Sequence, residues 1–202
     1  MKTIYTVQHT QSVHHINGMV GSWTDWDLTE LGRQQADRIS RNLQEELSGK
    51  KAVLYTSDLK RARQTADQIA VHLRTAPIVK PELRERNLGK CCGKSVQWLR
   101  ENLECDEKTI DDRLFSDAES RRDVWLRLQP FCEQLLSDDA ETVILVSHGD
   151  LLSIFNAMFL GFQPEDLNTR ELSGSAGGVS QLIINGNSKH ILKRLSDMSY
   201  IL

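Results

Sequence analysis

Apolar positions along this chain alternate between short blocks and helical stripes. Lys2–Val7 (KTIYTV) is a compact block rich in β-branched and aromatic residues, the pattern of a buried strand. Gln8 to Leu28 shows no period and reads as a long loop holding Gly18, Gly21, Trp23 and Trp26. Thr29 then caps a predicted helix with Ala36, Ile39, Leu43 and Leu47 at helical spacing, ended by Gly49. Ala52–Tyr55 predicts a second strand. Ser57 or Asp58 caps a second helix with Leu59, Ala62, Ala66, Ile69, Ala70 and Leu73 on one face, and Pro77–Val79 is a weak third strand.

Further along, Ser95–Leu103 predicts a helix, followed by an acidic stretch. Glu119–Leu136 predicts a helix with Val124, Leu128, Phe131, Leu135 and Leu136 inward. Thr142–Val146 (TVILV) is apolar throughout, as expected of a central strand covered on both faces. A helix over Gly149–Leu160 follows, then a Gly174–Gly178 loop. Val179–Ile184 and Ile191–Leu195 pair around an Asn185-Gly186 turn. Strands alternating with helices predict an α/β fold, three layers (α/β/α) about a mainly parallel sheet. The 202 residues form one domain, with an inserted lid-like segment at about 84–118.

Composition adds exclusions. A net charge of −3 argues against nucleic-acid binding, which needs a basic face. No apolar run is long enough to span a membrane, and the N-terminus lacks the apolar core of a secretory signal. Cys91, Cys92, Cys105 and Cys132 form no CxxC pair, so free thiols in a reducing cytoplasm are expected, without a zinc framework.

Two strands end alike. Lys2–Val7 runs into Gln8-His9-Thr10, and Thr142–Val146 into Ser147-His148-Gly149. In open α/β sheets ligands sit at the carboxyl ends of the strands, so His9 and His148 share one crevice if the strands are parallel neighbours. An imidazole suits the work of nucleophile, acid/base group or metal ligand. His72 and His190 have no such placement and read as ordinary surface or packed residues.

The residues around these histidines resemble a known family. His9-Thr10-Gln11-Ser12, with Gly21-Ser22-Trp23 through Thr29-Glu30-Leu31-Gly32, is similar to the opening of the histidine phosphatase superfamily, phosphoglycerate mutase-like branch. Ser57-Asp58-Leu59-Lys60-Arg61-Ala62 resembles its second motif and Leu83-Arg84-Glu85 its third. Ala118-Glu119-Ser120 resembles the Gly-Glu-Ser turn and Ser147-His148-Gly149 the last motif. The five occur in the family's order, from about residue 2 to 196.

The resemblance implies a phosphoglycerate mutase-like fold and a phosphatase acting on a small phosphorylated substrate, without metal or cofactor. His9 would be the nucleophile, Arg61 and His148 the phosphoryl contacts and Glu85 the proton donor. Gln8, His15 and Gly149 would complete the substrate site. The helix N-terminus after His148 would add partial positive charge, and a carbonyl in the Gly18–Gly21 region would hold His9.

Three positions depart from the family. Gln8 stands where it has arginine, Thr10 where it has glycine, and His15 where an asparagine is usual. The site lacks one cation: either the pocket simply does without it, or His14 or His15 fills the place as imidazolium. Two alternatives follow: a weakened phospho-ligand binding module, or a mutase-type phosphotransferase. The resemblance implies a longer insertion between the third and Gly-Glu-Ser motifs in the dimeric mutases, whereas only about 25 residues separate Gly93 from Glu119 here, a shorter cover that favours phosphatase. The spacing His9, His14, His15, with Asp25 beyond, also permits a metal cluster. Trp23, Trp26 and Trp98 either line the mouth or pack, and Arg121-Arg122 either reaches a second anion or is solvated.

Overall fold

The computed structural model describes residues 1–202. Six strands form one sheet in the order β3-β2-β4-β1-β5-β6. These are β1 (Lys2–Gln8), β2 (Val53–Thr56), β3 (Ile78–Val79), β4 (Thr142–Ser147), β5 (Val179–Ile184) and β6 (His190–Asp197). The first four in the sheet are mutually parallel, and β5 alone runs the opposite way, pairing antiparallel with β1 on one side and β6 on the other. The expected mainly parallel α/β sheet is therefore present.

Side-chain alternation explains the layers. Ile4, Val143 and Leu145 face a core shared with α5 (Arg121–Ser137) and α6 (Gly149–Phe159). Tyr5, Val7, Ile144 and Val146 face the opposite core, built with α2 (Glu30–Leu47) and α3 (Lys60–Leu73). A strand buried on both faces must be apolar at every position, which is why β4 reads as a continuous run.

Helix ends show where local chemistry decided the boundary. Thr29 caps α2 by accepting from the Gly32 N–H. Ser120 and Asp123 make a reciprocal capping box at α5, so that helix begins at Arg121. The expected Ser57 or Asp58 cap of α3 is not formed. Leu59 takes the cap position without a side-chain bond, because the Asp58 carboxylate is engaged with Arg84 at 2.6 and 2.8 Å.

Several short elements go beyond the expected ones. The long first loop contains a one-turn helix, α1 (His14–Asn17), and a 3₁₀ turn covers Pro164–Asn168. The 84–118 segment carries a 3₁₀ turn at Gly89–Cys91 and α4 (Val96–Asn102). Its Cys91, Phe115 and Ala118 bury Val20, and Trp98 packs beside Phe115. The segment thus has a small core of its own against the first loop. All four cysteines are free. No helix is long and apolar enough to cross a membrane.

The loop is also fixed to α2. Thr10 Oγ1 donates to the Gly32 carbonyl at 2.8 Å, and a Cβ on Gly32 would lie 1.9 Å from the Gln11 carbonyl oxygen. That neighbour is backbone and cannot swing aside. Gly32→Ala is expected to destabilise the fold by about 3 kcal/mol, at the upper end of overpacking costs. Urea unfolding of the purified variant measures this, and an unchanged midpoint would contradict the close approach.

Candidate active site

The pairing of β1 with β4 places Gln8 opposite Ser147, and the His9 N–H donates to the Ser147 carbonyl at 2.9 Å. His9 and His148 therefore leave the sheet side by side, ring centroids 5.1 Å apart. Above them lies a pocket of about 200 Å³ lined by Gln8, His9, His14, His15, Arg61, Glu85 and Gly149, among others. Larger hollows exist elsewhere. The one beside Glu46 and Arg194 presents polar groups already bonded to one another, and the one at Lys50–Val53 lacks converging reactive side chains.

His9 is 3% exposed. Its Nδ1 lies 2.9 Å from the Thr10 carbonyl. A carbonyl only accepts, so Nδ1 carries the proton and Nε2 keeps the lone pair. The anchoring carbonyl is thus that of the next residue, not one from Gly18–Gly21. Arg61 Nε donates to the lone pair at 3.1 Å. Arg61 is itself held by the Thr24 and Ser22 carbonyls at 2.7 and 2.8 Å, and burial lowers it to about 10. The long loop therefore aims the guanidinium, and α3 supplies it.

His148 is fully buried, yet neither ring nitrogen has a hydrogen-bond partner. A buried imidazole left unpaired costs about 1–3 kcal/mol, and a ligand with acceptor oxygens would recover it. Glu85 accepts from the Arg86 and Leu151 N–H groups at 3.0 and 3.1 Å. The start of α6 is thus occupied by this carboxylate instead of standing free for an anion. Burial, then Asp150, raises the Glu85 pKa, outweighing those two bonds and Arg61.

A further ion pair that sequence reading missed holds this segment. Arg127 makes a two-point contact with Glu119 at 2.9 and 3.0 Å and donates to the Glu82 carbonyl at 2.7 Å. Glu119 in turn accepts from the Asn87 N–H at 2.8 Å. The turn resembling Gly-Glu-Ser is therefore a bracket for the chain around Glu85.

Gln8 and Gly149 meet at the pocket wall. The Gln8 side-chain amide nitrogen lies 3.2 Å from where a Gly149 Cβ would stand. His15 Nδ1 accepts from the Ser12 N–H at 3.1 Å, which puts the proton of its neutral ring on Nε2. His14, 2.6 Å from Ser12 Oγ, lines the pocket beside His15. Only glycine at 21 leaves room for that ring, since a Cβ there would come within 2.8 Å of His14 Nε2.

The expected imidazolium at His14 or His15 is not supported. Burial, His15 and Arg61 push His14 down to about 3, and burial and Arg61 lower His15. His9 and His148 are held well below the ordinary imidazole value, by burial first and Arg61 second. All four rings are neutral near pH 7. The rings of His9, His14 and His15 do cluster, without Asp25. Their donor set suits a cation poorly, because Arg61 points at the His9 lone pair and His15 Nδ1 already accepts a backbone N–H. Trp23, Trp26 and Trp98 are absent from the pocket wall. Trp23 donates instead to the Glu85 carbonyl, and Arg84 stacks over it.

The family model for the histidine phosphatase superfamily (branch 1) matches residues 4–197. The chain belongs to this superfamily. Among relatives of the histidine phosphatases, it is 30% identical over 183 residues to a 2,3-bisphosphoglycerate-dependent phosphoglycerate mutase of Bartonella bacilliformis, covering 85% of this chain and 88% of that protein. It is 27% identical to the fructose-2,6-bisphosphatase of Saccharomyces cerevisiae, over 82% of this chain and 36% of that longer protein. Its fold matches a mycobacterial glucosyl-3-phosphoglycerate phosphatase in complex with VO3, with a TM-score of 0.84, 22% identity, and 98% and 100% of the two chains covered. Histidine phosphatases thus include both phosphatases and mutases among this chain's relatives.

Neutral imidazoles in the fold have a consequence for acid stability. Below about pH 6.5 the unfolded chain binds protons that the folded site refuses, so stability falls as pH falls. For His14 the window runs from about 6.5 down to about 3. His14→Gln is expected to make stability less steeply pH-dependent across it, by up to one bound proton, as read from urea unfolding at pH 7, 6, 5 and 4. A variant with the wild-type slope would contradict the neutral ring.

Proposed function

We propose that this protein hydrolyses a small phosphomonoester through a phosphohistidine on His9. The observation that carries the proposal is the fixed His9 tautomer beside a His148 ring with two unpaired buried nitrogens. A lone pair is presented for attack, and a polar group next to it awaits oxygen atoms.

His9 Nε2 attacks phosphorus, the P–N bond forms and the ester P–O bond breaks. Arg61, whose Nε–H covers the lone pair in the resting site, moves its hydrogen bond onto a phosphoryl oxygen, and His148 contacts another. Protonated Glu85 gives its proton to the leaving alkoxide. Water then attacks phosphorus, Glu85 takes back a proton, the P–N bond breaks and phosphate leaves. Transfer of this kind is mainly positioning and charge stabilisation, which a preorganised buried guanidinium supplies. Gln8, His15 Nε2–H and Gly149 complete the phosphoryl site as neutral contacts and wall. The 84–118 segment serves as its cover. Mutase-type transfer is the second reading, supported by the mutase among the relatives.

Rapid-quench labelling with a ³²P-phosphomonoester tests the proposal. Wild type is expected to carry an acid-labile, base-stable label and to release inorganic phosphate without a bisphosphate primer. His9→Ala is expected to lose both, and Arg61→Ala to lose about 100-fold or more in turnover. Release only with a primer would favour the mutase. Phosphate binding without any label would favour a binding module.

Glu85→Gln separates the proton donor from a merely structural carboxyl. Loss of the acid is expected to slow alkyl esters by about 100-fold or more and nitrophenyl phosphate far less, since nitrophenolate leaves unprotonated. Equal loss on both would remove Glu85 from that role.

A further inference from the structure

The pocket wall holds two guanidinium groups, Arg61 and Arg86. Arg61 is committed to His9. Arg86 is the cation nearest the wall that a second anionic group of a substrate would use, yet it is already neutralised. Its side chain is 8% exposed, its Nε lies 3.0 Å from Asp150 Oδ2, and its two terminal nitrogens pair with the Glu107 carboxylate. Asp150 is shared with Arg121 Nε at 3.1 Å.

Neighbouring cations are occupied in the same way. Arg122 is bonded to Asp111 and Glu165, Arg84 to Asp58, and Lys90 to Glu104. The tandem Arg121-Arg122 is therefore spent on carboxylates. The stretch from Glu101 to Asp117 adds seven acidic residues against two basic ones. A second anion on the leaving group would meet guanidiniums at Arg86, Arg121 and Arg122 already paired with carboxylates and would face like charge, which is costly at close range.

We infer that the site selects phosphomonoesters whose leaving group carries no second anionic group, and that the Glu107–Arg86–Asp150 clamp sets this selection. The inference rests on the phosphatase reading and narrows its substrate class. Phosphorylated neutral or amino alcohols fit, whereas phospho-carboxylates and bisphosphates do not.

The test compares kcat/KM for glycerol 3-phosphate, phosphoethanolamine and 3-phosphoglycerate. Wild type is expected to disfavour 3-phosphoglycerate by about tenfold or more. The discrimination should shrink toward unity at about 1 M salt, where charges more than about 3 Å apart are screened. Glu107→Gln releases Arg86 from one carboxylate and is expected to raise the ratio of 3-phosphoglycerate to glycerol 3-phosphate about tenfold. A ratio taken on one preparation does not depend on how much of it is folded. Preference for 3-phosphoglycerate in the wild type, or a ratio unmoved by both salt and Glu107→Gln, would overturn the inference. Calorimetric binding of the same three esters to His9→Ala, which cannot turn them over, is expected to follow the same ranking. Failure of hydrolysis on every ester would sink the phosphatase reading, while the wrong ranking in binding would sink this one.

Discussion

The parallel register between β1 and β4 is the constraint on which the site depends. Gln8 opposite Ser147, with the His9 N–H on the Ser147 carbonyl, sets two imidazoles 5.1 Å apart before any side chain has chosen a partner. The register is itself held by burial. Ile4, Val143 and Leu145 serve one core, and Tyr5, Val7, Ile144 and Val146 the other. A slip of one residue would exchange the faces of a whole strand and turn His9 away from His148. The hydrophobic pattern of two short strands therefore determines where the reactive nitrogens lie.

The electrostatics follow from one buried cation. Arg61 is 1% exposed and sits against His9, so an added positive charge on any nearby ring is unfavourable. Backbone carbonyls of Ser22 and Thr24 offset its desolvation without neutralising it. The long loop, which carries no periodic signal, thus has a defined task. Its carbonyls hold the guanidinium, and its one-turn helix carries His14 and His15 to the rim.

Much of this was legible in the sequence. Periodicity revealed the order of strands and helices, and matched strand ends singled out His9 and His148. Motif order led to Arg61 and Glu85, and the structure gathers all four. What stayed hidden lacked a local signal. A four-residue helix is too short to show a period, so α1 passed as loop. Asp58 has the chemistry of a helix cap but is drawn away by Arg84, a partner 26 positions on. Arg86 and Glu107 sit in mixed charged stretches that resemble solvated surface, and only the fold shows Arg86 buried between carboxylates. The Glu119–Arg127 bracket joins a turn to the middle of a helix, and its effect falls on a third segment.

The departure at Gln8 fits the same electrostatic scheme. An arginine at that strand end would add a second cation to a pocket whose imidazoles already resist protonation. The cost of holding two unpaired cations out of water is high unless a counter-ion is always present. An amide has no such cost and adds no charge to a pocket whose other guanidinium, Arg86, already faces Asp150 and Glu107. A phosphoryl dianion entering this pocket would itself raise the proton affinity of the rings around it, since an opposite charge favours the charged form. Further positive charge would then appear with the ligand instead of standing in the empty site. A pocket built this way meets a lone phosphoryl group with one standing cation, Arg61, instead of two.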